Sequence, residues 1–324
     1  MFYHPRPRRS LANGIIALLC ACLLSAPAKA DSPGNSTPRK IVIIGSSIAW
    51  GYGATTRSNS WAGLYADYLK SLNPGNSVTN LAVGGYSTPK LMPTGTGRED
   101  PQHNITAAIA AHPDAILMSL TSNDAGQKIP LSLTESNFTT IMHTAAAAGI
   151  PIWITTTVPV GVGGKPEYEL QTKTMQWIRQ TYPKNSINFW SALANPDGTV
   201  DHQYNFGDGV HPNDAGHSRL FNRVAHSGLL ESLYVPPAIS SVATSATTNT
   251  ATITWTTDKP ATSTVSYGPT PAYGSTTSSA TLTGSHILTL TGLAPQTWYH
   301  FHAGSADLSG NTATSADLAF QTSR

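Results

Sequence analysis

Cysteine is nearly absent from this chain of 324 residues: there are two, Cys20 and Cys22, both inside an apolar N-terminal run. If that run is removed as an export signal, nothing after it can form a disulfide, a thiolate nucleophile or a cysteine-ligated metal site. Charge is also scarce, at 11% of residues, against 40% hydrophobic residues. Basic residues hold no useful excess. Of 19 Lys and Arg, four (Arg6, Arg8, Arg9 and Lys29) precede residue 31, leaving 15 against 17 acidic residues, a net charge of −2. Without a basic patch, nucleic acid is excluded as a partner class. No apolar run is long and unbroken enough to read as a membrane span.

The N-terminus has the three parts of a secretory signal: Arg6, Arg8 and Arg9, then the mostly apolar residues 11–25, then the small-x-small site Ala28-Lys29-Ala30. Cleavage is expected near Ala30, with a secreted or periplasmic product. Leu19-Cys20-Ala21-Cys22 faintly resembles a lipoprotein processing box, but the apolar Leu23-Leu24 after it argues against that reading. Residues 31–39 are polar, with two prolines, and read as a flexible lead-in.

From 40 to 235 short apolar runs alternate with helical stretches. Residues 41–44 and 115–118 are continuous apolar strands, as expected when both faces of a parallel sheet are covered. Further strands are expected at 78–83, 150–155 and 187–189, and helices at 61–72, 134–148, 168–181 and 214–233. Ser132 and Glu135 have the spacing of a capping box at the second helix. The alternation implies a parallel sheet with helices on both faces, an α/β layout. After Val235-Pro236-Pro237 the helices stop. Residues 237–324 are rich in Thr and Ser, with period-2 strands around Trp255, Val265 and Leu288 between turn signals, which fits a small all-β sandwich.

Four blocks in the α/β part carry candidate chemistry, and each follows an expected strand or precedes the last helix. They are Gly45-Ser46-Ser47, Asn80-Leu81-Ala82-Val83-Gly84-Gly85, Thr121-Ser122-Asn123-Asp124 and Asp208-Gly209-Val210-His211-Pro212. Open parallel sheets bind ligands beyond the carboxyl ends of their strands, so the first three blocks face one cleft. Asp208, three residues before His211, can orient one imidazole nitrogen and leave the other to take a proton. Paired glycines allow close backbone approach and an amide donor. Taken singly, each block also reads as an ordinary turn: a polar βα turn, a loop, an Asx-turn and a helix cap. Trp50 and Tyr52 could line an acyl or sugar pocket, whereas Trp61 at a helix start reads as core. His202, His217 and His226 lack any metal-ligand spacing, and Gly216-His217-Ser218 lacks the closing Gly of a nucleophile elbow.

In this order, the blocks resemble those of the SGNH (GDSL-type) hydrolases, over residues 40 to about 235. The resemblance implies a flavodoxin-like catalytic fold, Ser47 as nucleophile, His211 as general base and Asp208 as its orienting partner. It also implies an oxyanion hole from the N–H groups of Ser47 and Gly85 and the side chain of Asn123, with Gly84 as the alternative donor to Gly85. Two positions depart from the family pattern: Ser46 stands where Asp is usual, and Thr121 where Gly is frequent. Residues 237–324 resemble a fibronectin type III module, with Trp255 and Tyr299 in the places of its core tryptophan and corner tyrosine.

The chain is therefore expected to be a secreted serine esterase needing neither cofactor nor metal. Its expected substrate is a short-chain carboxylic ester, with O-acetyl groups on carbohydrate favoured and a polysaccharide-linked ester as one form. A lipase or lysophospholipase-like acyl hydrolase is the alternative. A non-catalytic surface-binding protein on the same fold is the remote one.

Overall fold

The computed structural model describes residues 37–120, 122–308 and 310–324. The expected signal segment 1–30, most of the lead-in and Thr121 lie outside the described residues. Five parallel strands, β1 (Lys40–Gly45), β2 (Ser77–Asn80), β3 (Ala115–Ser119), β4 (Ile152–Thr155) and β5 (Ser186–Ile187), form a sheet in the order β2-β1-β3-β4-β5. This is the doubly wound order in which the crevice lies beside β1. Among the described residues ten helices accompany it: α1 (Ser47–Trp50), α2 (Trp61–Leu72), α3 (Thr88–Leu91), α4 (Ile105–Ala110), α5 (Asn123–Gly126), α6 (Leu131–Ala147), α7 (Lys165–Thr181), α8 (Trp190–Leu193), α9 (Asp214–Ala225) and α10 (Leu229–Ser232).

The continuous apolar strands divide their side chains between two cores, because successive residues of a strand point to opposite faces. Ile41, Ile43, Ala115 and Leu117 pack with Trp61, Tyr65, Leu220 and Val224 of α2 and α9. Val42, Ile44, Ile116 and Met118 pack with Ile105, Phe138, Ile141 and Ile178 of α4, α6 and α7. Each fully buried Ile or Leu contributes about 1.5–3 kcal/mol relative to exposure, so the two cores together set the sheet's position.

Several local expectations need correction. Helix α6 begins at Leu131 behind Pro130, and no side chain caps it; Ser132 lies inside the first turn, so the Ser132–Glu135 capping box does not form. Pro130, which needs no N–H partner, starts the helix two residues earlier than that spacing suggested. The last helix is broken into α9 and α10 around Gly228, which is in the left-handed region (φ 82°). The lead-in does not extend through residue 39: Arg39 is 1% exposed and its backbone N–H donates to Asn76 Oδ1 at 2.7 Å.

From Ile239 the structure is antiparallel: β6 (Ile239–Ala246), β7 (Thr250–Gly268), β8 (Ser275–Thr291), β9 (Trp298–Ala306), β10 (Thr312–Thr314) and β11 (Leu318–Gln321). Strand β7 shifts register between Thr256 and Ser263. Its first half pairs with β6 and the second half of β8, and its second half with the first half of β8 and with β9. Strands β10 and β11 add to β9. The result is a half-barrel whose two layers share β7 and β8. Ala251, Ile253 and Trp255 of one layer meet Val265, Phe301 and Phe320 of the other in a third core.

This half-barrel docks on the amino-terminal edge of the parallel sheet. Arg39, just before β1, reaches Asp114 before β3 (3.4 Å) and Asn311 between β9 and β10 (3.2 Å). Lys259 Nζ of β7 donates to the carbonyls of Ser232 and Val235 at 3.1 and 2.7 Å. A cavity of about 500 Å³ lies along this seam, lined by Met142, Trp153, Tyr182, Leu233, Lys259 and Asp307 among others. Among the described residues, no helix is long and apolar enough to cross a membrane, and no group of three or more His, Cys, Asp or Glu could hold a metal ion.

Candidate active site

The described residues of the first three sequence blocks sit at the carboxyl edge of the sheet, opposite the docked half-barrel. Gly45 at the end of β1 pairs with Ser119 at the end of β3, and the Ser46 N–H donates to the Ser119 carbonyl at 3.1 Å. Ser47 then opens α1 at the rim. As the first helical residue its N–H has no partner within the helix. The Asn80 side chain at the end of β2 donates to the Ala49 carbonyl of α1 at 2.7 Å, tying the second block to the helix that carries Ser47.

Three side chains from the first and last blocks form a continuous hydrogen-bonded chain. His211 Nε2 is 2.9 Å from Ser47 Oγ, and His211 Nδ1 is 2.6 Å from Asp208 Oδ2. The other oxygen, Asp208 Oδ1, accepts the backbone N–H groups of Val210 and His211 at 2.9 and 2.8 Å. Burial pushes the Asp208 carboxyl up, but the His211 N–H, its ring and the Val210 N–H together outweigh that and hold it below the usual carboxylate range. Asp208 is therefore an anion at neutral pH, which fixes the proton of neutral His211 on Nδ1 and leaves Nε2 free to accept from Ser47. The site is open, with the Asp208 side chain 35% exposed and that of His211 17%.

The loop carrying Asp208 and His211 is shaped by side chains that sequence reasoning passed over. Asn205 Oδ1 accepts the N–H groups of Gly207 and Gly209, and Asn213 caps α9 through the Gly216 N–H at 3.0 Å. Asn213 immediately before Asp214 is a recognisable cap in the sequence. Gly53 (φ 91°) packs against the same loop so closely that a Cβ there would lie 2.2 Å from the Pro212 carbonyl and 3.1 Å from His211 Cβ. No other residue fits.

His217 is not a metal ligand in waiting but a buried tie. It is fully buried, its Nδ1 accepts the Trp61 N–H at 3.2 Å, and its Nε2 donates to the Tyr52 carbonyl at 3.0 Å. Burial, only partly offset by the Tyr52 carbonyl and Asp214, pushes its pKa down to about 4. Tyr52 in turn lies against the His211 ring, with centroids 4.3 Å apart.

The remaining two expected residues, Gly85 and Asn123, are laced together by α5 and its C-cap. Asn123 Nδ2 donates to the Tyr86 carbonyl at 2.7 Å, and Gln127 Nε2 to the Gly85 carbonyl at 3.0 Å. Ser87 Oγ donates to Gln127 Oε1 at 2.8 Å, and the Thr88 N–H to Asp124 Oδ1 at 2.8 Å. Burial raises the Asp124 pKa despite hydrogen bonds from Thr88 and Thr134. Three side chains of one turn thus hold four consecutive residues, 85–88. Gly85 has φ 81° and nothing within 4 Å of a Cβ position, so open space faces it. Gly84 is equally open.

A hydroxyl paired with an oriented imidazole is an arrangement suited to nucleophilic attack on a carbonyl. The chain matches the family model described as GDSL-like Lipase/Acylhydrolase over residues 43–219. No curated protein matches it significantly. It is similar in structure to a catalytic mutant of Axe2, an acetylxylan esterase from Geobacillus stearothermophilus, at 16% identity over 59% of this chain and 94% of that one, with a TM-score of 0.47. The psychrotrophic esterase EstA from Pseudoalteromonas sp. gives 16% identity, 61% and 100% coverage and a TM-score of 0.43. A GDSL-like lipase from Bacteroides thetaiotaomicron gives 15%, 58% and 87%, and 0.45.

Proposed function

This chain belongs to the GDSL-like lipase/acylhydrolase family and is an ester hydrolase, and from that premise we propose that it works through an acyl-enzyme on Ser47. The observation that carries this reading is the hydrogen-bonded chain Asp208–His211–Ser47. During attack on the ester carbonyl the Ser47 proton moves to His211 Nε2, and the Asp208 carboxylate stabilises the imidazolium. The carbonyl oxygen becomes an oxyanion and takes donors from the Ser47 N–H, the Gly85 N–H and Asn123. An amide nitrogen has two hydrogens, so Asn123 can serve the oxyanion while holding the Tyr86 carbonyl. Each such donor is worth about 3 kcal/mol of transition-state stabilisation. His211 then protonates the departing alcohol, and water activated by the same ring releases the acid.

The substrate class we favour is a short-chain ester, with O-acetyl groups on carbohydrate as natural target. The open site and the exposed rings beside it support this choice. Ser47→Ala should abolish hydrolysis of p-nitrophenyl acetate while the far-UV circular dichroism stays unchanged; an active Ser47→Ala enzyme would refute the nucleophile. A series of p-nitrophenyl esters should show falling kcat/KM beyond acyl lengths of about four carbons, as transfer of each further CH₂ from water to the site goes unrewarded. Rising values along the series would favour a lipase-like enzyme.

The half-barrel we read as a fibronectin type III module. Supporting this, Trp255 is buried in its core, and the Tyr299 hydroxyl accepts the Ala294 N–H at 3.0 Å to close a corner. Export rests on the N-terminal Arg6, Arg8, Arg9 and Ala28-Lys29-Ala30 pattern. A mature protein that does not begin near Asp31 would overturn it.

A further inference from the structure

We propose that Trp50, Tyr52, Val162 and Phe206 form a stacking subsite for the sugar ring that bears the scissile ester. The inference rests on the hydrolase reading of Ser47 and adds where the alcohol half of the substrate lies. These four large apolar side chains are 39, 48, 49 and 56% exposed. Tyr52 covers His211 with ring centroids 4.3 Å apart, and Phe206 meets Tyr52 edge-on at 6.1 Å and 75°. The Phe206 N–H donates to the His211 carbonyl at 2.8 Å, so the two residues are joined through their backbones. Trp50 follows Ser47 by three residues in α1, which puts the two on neighbouring positions of one helix face. Val162 abuts Gly209, between Asp208 and His211: a Cβ on Gly209 would lie 2.6 Å from Val162 Cγ1.

Single exposed apolar residues need no explanation, but a group of them bordering reacting atoms marks a binding surface. The geometry then selects the ligand. Rings set edge to face form a corner with open faces, not a closed slot. A pyranose can lay its C–H face on such a ring and keep its hydroxyls in water. A long acyl chain gains in proportion to the area it removes from water, and half-exposed rings leave much of that area wet. The Arg57 guanidinium lies 3.9 Å over one face of Trp50, so the sugar uses the rest of that ring, and it adds planar N–H donors to the rim. The seam cavity shares no residue with Ser47, His211 or Asp208 and does not compete for this role.

The experiment compares full-length wild type, Phe206→Ala, Trp50→Ala and Phe206→Trp on three esters: an O-acetylated xylo-oligosaccharide, vinyl acetate and vinyl decanoate. The alanine variants should lower kcat/KM for the sugar acetate at least fivefold more than for vinyl acetate, mainly through KM, and Phe206→Trp should retain the preference. Equal losses on both acetates, or a loss concentrated on the decanoate, would overturn the subsite. Calorimetric titration of Ser47→Ala with the same xylo-oligosaccharide separates this idea from the catalytic one. Binding weakened by adding Phe206→Ala supports the subsite whatever the turnover, and no difference between the two proteins rejects it. A wild type that turns over none of the three esters instead sinks the short-chain ester reading, and the titration alone then decides the subsite.

Discussion

Arg39 and Asn311 are 272 positions apart and meet at 3.2 Å, joining the first strand of the parallel sheet to the half-barrel on the edge away from Ser47. The C-terminal region is therefore a fixed buttress of the amino-terminal edge. It leaves the carboxyl edge, with its open hydroxyl and imidazole, uncovered.

A chain ending at Val235 should be less stable than the full protein. It would uncover Leu233, now 2% exposed, and the buried surroundings of Arg39. Uncovering one such side chain and losing a buried hydrogen bond amounts to about 2–3 kcal/mol, or roughly 5–10 °C in Tm for a region of this size. Differential scanning calorimetry on the two proteins checks this; equal transitions would mean the contact carries no stability.

Asp208→Asn should keep the loop, because an amide oxygen can still accept from Val210 and His211. Its NH₂ group would face His211 Nδ1, however, and force the ring proton to Nε2, where it blocks acceptance from Ser47. The expected loss in kcat is about 10²–10⁴-fold with little change in fold. A loss below about fivefold would show that the carboxylate does not set the tautomer.

Gln127→Ala removes the donor that holds the Gly85 carbonyl and the acceptor for Ser87. If Gly85 supplies an oxyanion donor, kcat should fall about tenfold, less than the 10²–10³ expected for losing a donor outright, while KM stays within about twofold. A change in KM alone would place Gln127 in substrate binding instead.

Acid should destabilise the fold through His217. Its pKa is about 4 in the native protein against the ordinary 6.5, so between these values the unfolded chain binds more protons. Stability conferred by the neutral ring is complete above about pH 6.5, falls as pH drops toward 4, and is flat below, a total on the order of 3 kcal/mol. Urea unfolding across pH 4–7 should show this slope in wild type and lose most of it in His217→Gln. The same slope in both would assign the acid sensitivity elsewhere.

Much of this was legible in the sequence because it is local. Ile41-Val42-Ile43-Ile44 and Ala115-Ile116-Leu117-Met118 are apolar at every position, and only a sheet covered on both faces buries such a run. Asp208 and His211 sit three apart, so their pairing needs no more than a turn. The capping box at Ser132 misled because Pro130 offered an earlier start. The roles of Gly53, Asn80, Gln127 and His217 were invisible for the opposite reason: each acts on a partner distant in sequence, such as Pro212, Ala49, Gly85 or Tyr52.

The sequence by itself determined the α/β and all-β halves and the residue types of the chemistry, since periodicity and short-range spacing depend on neighbours along the chain. Only the tertiary structure decided that His211 reaches Ser47 across 164 positions, that α5 grips residues 85–88, and that the half-barrel occupies the edge opposite the site. Those relationships follow from how two cores pack on one twisted sheet. No stretch of chain encodes that packing alone.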